Sequence, residues 1–207
     1  MTSPTRKAEP TIGYTLHGNR YLNVTSRCTL RCAFCPKFNG EWSVKGHGLR
    51  LYRDPTVEDL VDAVGDPSGF GAIVFCGLGE PLLRLETVLE VADRLKRQGA
   101  PKIRVNTDGL ANLVSGKDVT PLLEGVIDAL SISLNAHDAE TYDRHCRPRR
   151  PGSFEAVLEF ARLAHDHVPE VTLTAIAGLD GVDIAACERL AREIGVGFRR
   201  RELDVVG

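Results

Sequence analysis

The sequence predicts an α/β protein with a parallel sheet in a single domain. Three observations carry this. Short runs rich in Val and Ile alternate with segments of helical periodicity along the 207 residues. No internal repeat, low-complexity tract or Gly/Ser-rich linker divides the chain. Glycines stop two of the helical runs, at Gly99 and Gly195.

Taken in order, the candidate strands are Arg20–Val24, Ala72–Cys76, Lys102–Asn106, Ala129–Leu134, Glu170–Ile176 and Gly197–Glu202. Helical segments lie between them. Thr56 with Asp59 resembles a capping box and opens a helix over Val57–Val64. Thr87–Gln98 carries Val88, Leu89, Val91, Ala92 and Leu95 at helical spacing. A shorter helix is expected over Asp138–His145. Ser153 is the expected N-cap of Phe154–His165, and the last helix covers Asp183–Ile194. Alternation of this kind makes βαβ units. Six are too few for a closed eight-fold barrel, which leaves an open partial barrel or a doubly wound sheet. In both, loops after the strand C-termini build the site.

Composition narrows the function classes. Hydrophobic residues at 43% and charged residues at 26% are ordinary for a soluble globular protein. A net charge of -2 gives no global pull toward nucleic acid or acidic lipid. No apolar run approaches the length of a membrane span, and the opening MTSPTRKAEP lacks the apolar stretch of a signal peptide. The expectation is a cytoplasmic protein, with residues 1–15 a poorly ordered tail and 16–207 the core domain.

Chemistry concentrates in Val24-Thr-Ser-Arg-Cys28-Thr-Leu-Arg-Cys32-Ala-Phe-Cys35-Pro36, directly after the first strand. Three of the six cysteines fall within eight residues, spaced Cys-x3-Cys-x2-Cys. In a reducing compartment such clustering points to metal or catalysis. Three thiolates on one short loop can hold three corners of a cubane cluster and leave the fourth iron open for a ligand. Zinc is the competing reading and would need a fourth ligand, such as His17 or His47. Cys76, Cys146 and Cys187 show no second ligand spacing.

With Phe34 just before the last cysteine, the triplet resembles the signature of the radical SAM superfamily. Phe75-Cys76-Gly77-Leu78-Gly79-Glu80-Pro81, after the second strand, is similar to that family's Gly-Gly-Glu motif. Its glycines let backbone approach a ligand, and Glu80 offers acceptors to the ammonium of S-adenosylmethionine (SAM). Asn106-Thr107-Asp108-Gly109 resembles a polar turn near the cofactor, and is also ordinary turn chemistry. Ser131, Ser133 and Asn135 alternate with Leu130, Ile132 and Leu134, so the polar set shares one face. The resemblance implies that this face meets the ribose and carboxylate of SAM; the competing reading is an amphipathic edge strand facing water. Arg147, in the basic loop Arg144–Arg150, is a candidate partner for the SAM carboxylate or for an anionic substrate or partner; the competing reading is a solvated charged loop.

The order of motifs through "SISLNA", "TYDRHCRP" and "SFEAVLEF" covers nearly the whole chain and is similar to the small TatD-linked radical SAM proteins. The resemblance implies a partial (βα)6 TIM-like barrel. It implies one [4Fe–4S] cluster on Cys28, Cys32 and Cys35, SAM as second cofactor, and a flavodoxin- or ferredoxin-like one-electron donor. It also implies a functional link to a TatD-type nuclease, and it names no substrate. A non-catalytic iron–sulfur module for electron transfer or sensing is the alternative.

Overall fold

The computed structural model describes residues 10–203. A short antiparallel hairpin opens it, β1 (Gly13–Leu16) and β2 (Asn19–Asn23). A second small hairpin follows, β3 (Ser43–Val44) and β4 (His47–Gly48). Then come α1 (Val57–Val64), β5 (Ile73–Cys76), α2 (Leu85–Arg97), β6 (Ile103–Thr107) and α3 (Ala111–Ser115). The chain continues with β7 (Ala129–Ser133), α4 (Ala139–Cys146), α5 (Ser153–His165), β8 (Glu170–Ala177), α6 (Ile184–Ile194) and β9 (Gly197–Glu202).

The main sheet runs β1-β2-β5-β6-β7-β8-β9. Every pairing from β2 to β9 is parallel, and only β1 is antiparallel. Six parallel strands wound in sequence order and joined by crossovers form the partial barrel that the resemblance implies.

Alternation along the strands separates two environments. Leu22, Ile73, Phe75, Ile103, Val105, Leu130, Ile132 and Leu173 face the helices and are at most 1% exposed. They meet Leu60, Val88, Val91, Leu95, Val157 and Phe160 from the helices. Burying each such side chain stabilises the fold by about 1.5–3 kcal/mol. The opposite, concave face is apolar only on its β1–β2–β5 side. There Tyr14, Val74 and Cys76 pack against Val44 and Leu49, so the β3–β4 hairpin closes that part of the barrel mouth.

The strand expectations match to within a residue or two. Two boundaries need correction. Residues 13–15, assigned to the tail, are strand: Gly13↔Leu22 through Leu16↔Asn19 pair in register. Residues 1–9 of the expected tail lie outside the described residues. Ser153 is the first residue of α5 rather than its cap. Gly152, with φ 71°, holds the cap position, and Ser153 Oγ donates to Arg150 O at 2.8 Å. By contrast the Thr56–Asp59 capping box of α1 is formed in both directions. No helix among the described residues is long and apolar enough to cross a membrane.

Candidate functional site

The cysteine loop leaves the C-terminal end of β2 and is held at four places. Glu80 N donates to Arg27 O at 2.8 Å, tying the loop to the turn after β5. Lys37 Nζ donates to Ser26 O (3.2 Å) and Leu78 O (2.8 Å), bridging the same two segments. Arg31 N donates to Cys146 O (3.1 Å) and Ala33 N to His145 O (2.8 Å), so the last turn of α4 holds the stretch between the cysteines. Finally, Thr25 Oγ1 (2.7 Å) and Arg27 Nη2 (2.9 Å) donate to Asp54, beside which Arg84 donates to Val24 O at 3.1 Å.

Cys28, Cys32 and Cys35 are all half-buried on this loop. Cys28 and Cys32 pack against the core. Burial, then the neighbouring Asp108 carboxylate, pushes the Cys28 thiol up to about 12. A hydrogen bond with Cys146, together with burial, raises that of Cys32, and burial raises Cys35. The three sulfurs do not converge. Among the described residues no set of three His, Cys, Asp or Glu side chains is close enough to hold a metal ion. The donor chemistry nonetheless fits an iron–sulfur cluster: three thiols on one well-anchored loop at the C-terminal end of a parallel sheet. Gathering them requires side-chain rotation and loss of the thiol protons. The histidines considered for zinc are elsewhere: His17 is in the β1–β2 turn, and His47 packs against Tyr14 with ring centroids 4.8 Å apart and the rings tilted by 31°.

The glycine turn packs against the start of the cysteine loop. A Cβ on Gly77 would strike the Asn23 amide, and one on Gly79 would strike the carbonyl oxygens of Thr25 and Arg27, all closer than 3.0 Å. These glycines bring the turn against the start of the cysteine loop. Gly77 also needs its φ of 130°.

Glu80 is 3% exposed, and its carboxylate is turned inward rather than toward a ligand. It accepts from Leu82 N (2.8 Å), Thr107 Oγ1 (2.8 Å) and Asp108 N (2.6 Å). Asp108 in turn accepts from Thr29 Oγ1 on the cysteine loop and from Leu110 N at 3.0 Å. Burial and mutual repulsion hold the Glu80 carboxyl well above its usual range, and burial raises Asp108 as well. Glu80 and Asp108 therefore form a buried pair that fastens two turns to the cysteine loop. Asp108, Lys37, Asp54 and Arg84 were not singled out from the sequence. Asp108 enters the sequence reading only as a member of the Asn106–Gly109 turn.

The other candidates divide. Asn106 and Ser133 face the concave side, and Asn106 Oδ1 is buried without a hydrogen-bond partner. Ser131 accepts from Arg199 Nη2 at 3.1 Å. Asn135, 2% exposed with φ 59°, accepts from Arg201 Nη2 at 2.8 Å. Phe34 packs against the core beside the cysteines. Arg147 is exposed and caps α4 in the left-handed region, its N–H donating to Asp143 O; no contact places it on the concave face.

Comparison with known proteins bears on the family and the fold. The GTP 3',8-cyclase of Corynebacterium glutamicum strain ATCC 13032 is 31% identical over 168 residues, 79% of this chain and 43% of that protein. That of Lactiplantibacillus plantarum is 30% identical over 169 residues, 78% of this chain and 46% of the relative. The chain thus spans less than half the length of these relatives. Among solved structures, Streptococcus suis SuiB bound to S-adenosylmethionine superposes with a TM-score of 0.63 at 15% identity, covering 89% of this chain and 38% of SuiB. The hydrogenase maturase HydG of Carboxydothermus hydrogenoformans gives 0.63 at 20% identity, covering 90% and 44%. These two share the fold. The sequence profile that matches residues 22–194 takes in the end of β2, the whole cysteine loop and the strands β5 to β8, and by it the chain belongs to the radical SAM superfamily.

Proposed function

We propose that the protein is a radical SAM enzyme whose substrate is still to be identified. The observation that carries this reading is the position of the cysteine loop. It stands at the C-terminal end of the parallel sheet, clamped by the Gly77–Pro81 turn, in a chain of this superfamily. Cys28, Cys32 and Cys35 would hold a [4Fe–4S] cluster, leaving one iron open. The chemistry supplied on binding is reductive cleavage of SAM to a 5′-deoxyadenosyl radical that takes a hydrogen atom from substrate.

The chain's own residues do the rest. Lys37 and the Glu80–Asp108 pair fix the cysteine loop against two strand-end turns. The unpartnered Asn106 Oδ1, with Ser133 nearby on the next strand, supplies an acceptor and a hydroxyl for the polar parts of SAM. The β3–β4 hairpin shields one flank of the concave face from water.

The electron must come from outside the barrel. Beside the cysteine loop lies a cavity of about 590 Å³ lined by Cys28, Phe38 and Trp42 together with Arg27, Lys37, Arg149 and Arg150. An apolar floor with a basic rim beside a cluster ligand suits an acidic donor of the flavodoxin or ferredoxin kind. On the motif order alone, the chain further belongs with the TatD-linked subgroup, and a functional link to a TatD-type nuclease follows. Co-purification of the two proteins from anaerobic cells is the check on that link. The non-catalytic alternative leaves the polar concave face without a use.

The deciding experiment is anaerobic reconstitution with iron and sulfide, reduction with dithionite and assay of 5′-deoxyadenosine from added SAM. Product that disappears in Cys28→Ala is expected. A brown protein that never cleaves SAM would move the assignment to the electron-transfer module, and a colourless protein retaining zinc would overturn it.

A further inference from the structure

The concave face has two chemistries, and the second is not used by the proposed SAM site. Opposite the aromatic side, β6 and β9 each send an arginine inward: Arg104 and Arg199. Between them stand Ser131 of β7 and Thr172 of β8, side chains short enough for the guanidiniums to reach across. Strands about 4.8 Å apart put the two backbones roughly 14 Å from each other; Arg199 reaches across β8 to Ser131, while the Arg104 guanidinium leans the other way, toward Tyr21.

A cavity of about 170 Å³ lies there, lined by Arg104, Ser131, Thr172 and Arg199 and edged by Lys102 and Glu170. It is smaller than the 300–1,000 Å³ of pockets that take a whole small molecule, so it fits one functional group of a larger ligand. Lys102 and Glu170 neutralise each other at 2.7 Å. The arginines have no such partner among the described residues. Arg104 Nη2 donates to the Tyr21 hydroxyl at 3.3 Å, and its Nε is buried with no acceptor. Arg199, in register with Thr174, bends back to donate to Ser131 Oγ at 3.1 Å. Two permanent cations line a group-sized cavity, and one of them carries an unsatisfied buried N–H; such a lining asks for an oxyanion.

We propose that this cavity is an anion subsite, where Arg104 and Arg199 anchor a phosphate or carboxylate group of the substrate. Its depth sets a ruler. Arg104 is in register with Val74, two residues before Cys76, which is the partner of Asn23 at the end of β2 where the cysteine loop departs. Two residues of strand are about 7 Å. The substrate therefore holds its anionic group at least that far from the hydrogen it surrenders at the cysteine end. The inference rests on the proposed function in one respect only, that the concave face is the substrate side.

The test uses the reconstituted holoprotein at low salt. Inorganic pyrophosphate and succinate are titrated by calorimetry, the first reporting phosphate and the second carboxylate recognition. Arg199→Met and Arg104→Met should weaken the anion that binds by tenfold or more. Arg200→Met, one residue along β9 on the opposite face, should leave it unchanged. Because Arg199 is exposed on the edge strand, its variant should fold even if the Arg104 variant does not. Formation of 5′-deoxyadenosine from SAM without substrate should persist in Arg199→Met. Equal loss in all three variants would show a net-charge effect and overturn the subsite. So would absence of binding by either anion in the wild type. Loss of SAM binding in Arg199→Met would reassign the arginine to the cofactor. Failure of the wild type to cleave SAM would count against the proposed function and leave the titrations standing.

Discussion

At Gly79 a single added carbon decides whether the cysteine loop can lie against the sheet. Its neighbours there are backbone carbonyls, which cannot rotate away as a side chain would. Gly79→Ala should therefore destabilise the fold by about 1–3 kcal/mol. It should also lower the iron retained after reconstitution, read by iron analysis beside a thermal melt. Glu80 poses a different question, because a buried carboxyl surrounded by three donors serves structure and titrates. Its raised folded value means that its contribution to stability is complete below the ordinary glutamate range and is lost as pH climbs through the raised value. Glu80→Gln puts an amide N–H among donors. The variant should be less stable than the wild type at pH 5 by about 1–3 kcal/mol. The gap should narrow toward pH 8, since only the wild type loses stability as the carboxyl ionises. A gap that widens with pH would contradict the assigned direction. The sequence marked both residues as functional but not how they act. A Gly-x-Gly-Glu string shows that backbone must come close to something; only the fold shows that the something is Thr25 and Arg27.

Among the elements, α4 has the least expected task. Its helical stretch is legible in the sequence, although Asp138, expected as its first residue, is its N-cap. That its last carbonyls hold the cysteine loop is a contact across more than a hundred residues of sequence, with no local signature. Ala33→Pro removes the donor to His145 O and keeps every cysteine. Reconstituted protein should then show a native-like circular dichroism spectrum but shed iron faster than the wild type on gel filtration. Unchanged retention would mean that the α4 contact is incidental. The β3–β4 hairpin escaped the sequence reading for a similar reason. Its strands are two residues each, too short to show alternation, and Val44 and Leu49 find their partners in Tyr14, Val74 and Cys76. The β1 strand was hidden by its position, since four residues beside a charged, proline-bearing start read as tail until their pairing with β2 is seen.

For the whole molecule, winding order was legible because six Val/Ile runs and their intervening helices admit few topologies, and the resemblance chose among those. The distribution of charge over the surfaces was not, because Arg27, Lys37, Arg149 and Arg150 come together only when the loops after β2 and α4 are folded. Reversing charge at two of them, Arg149→Glu with Arg150→Glu, should slow SAM cleavage driven by an acidic flavodoxin at least tenfold at low ionic strength. With dithionite as reductant the rate should be unchanged. Equal slowing with both reductants would place the two arginines in a structural role. One more property follows from β9, the terminal strand of the sheet. A terminal strand is a standing invitation for another chain to add itself, and proteins discourage this by studding the margin with charge. Arg199, Arg200, Arg201 and Glu202 do so on both faces at once, since alternation sends every second side chain to the far side. The run proposed to hold an anion inside the barrel thus also acts as a gatekeeper against fibrillar stacking. An evolutionary or engineering path that adapts this strand to a neutral substrate would meet insolubility before it met a new activity.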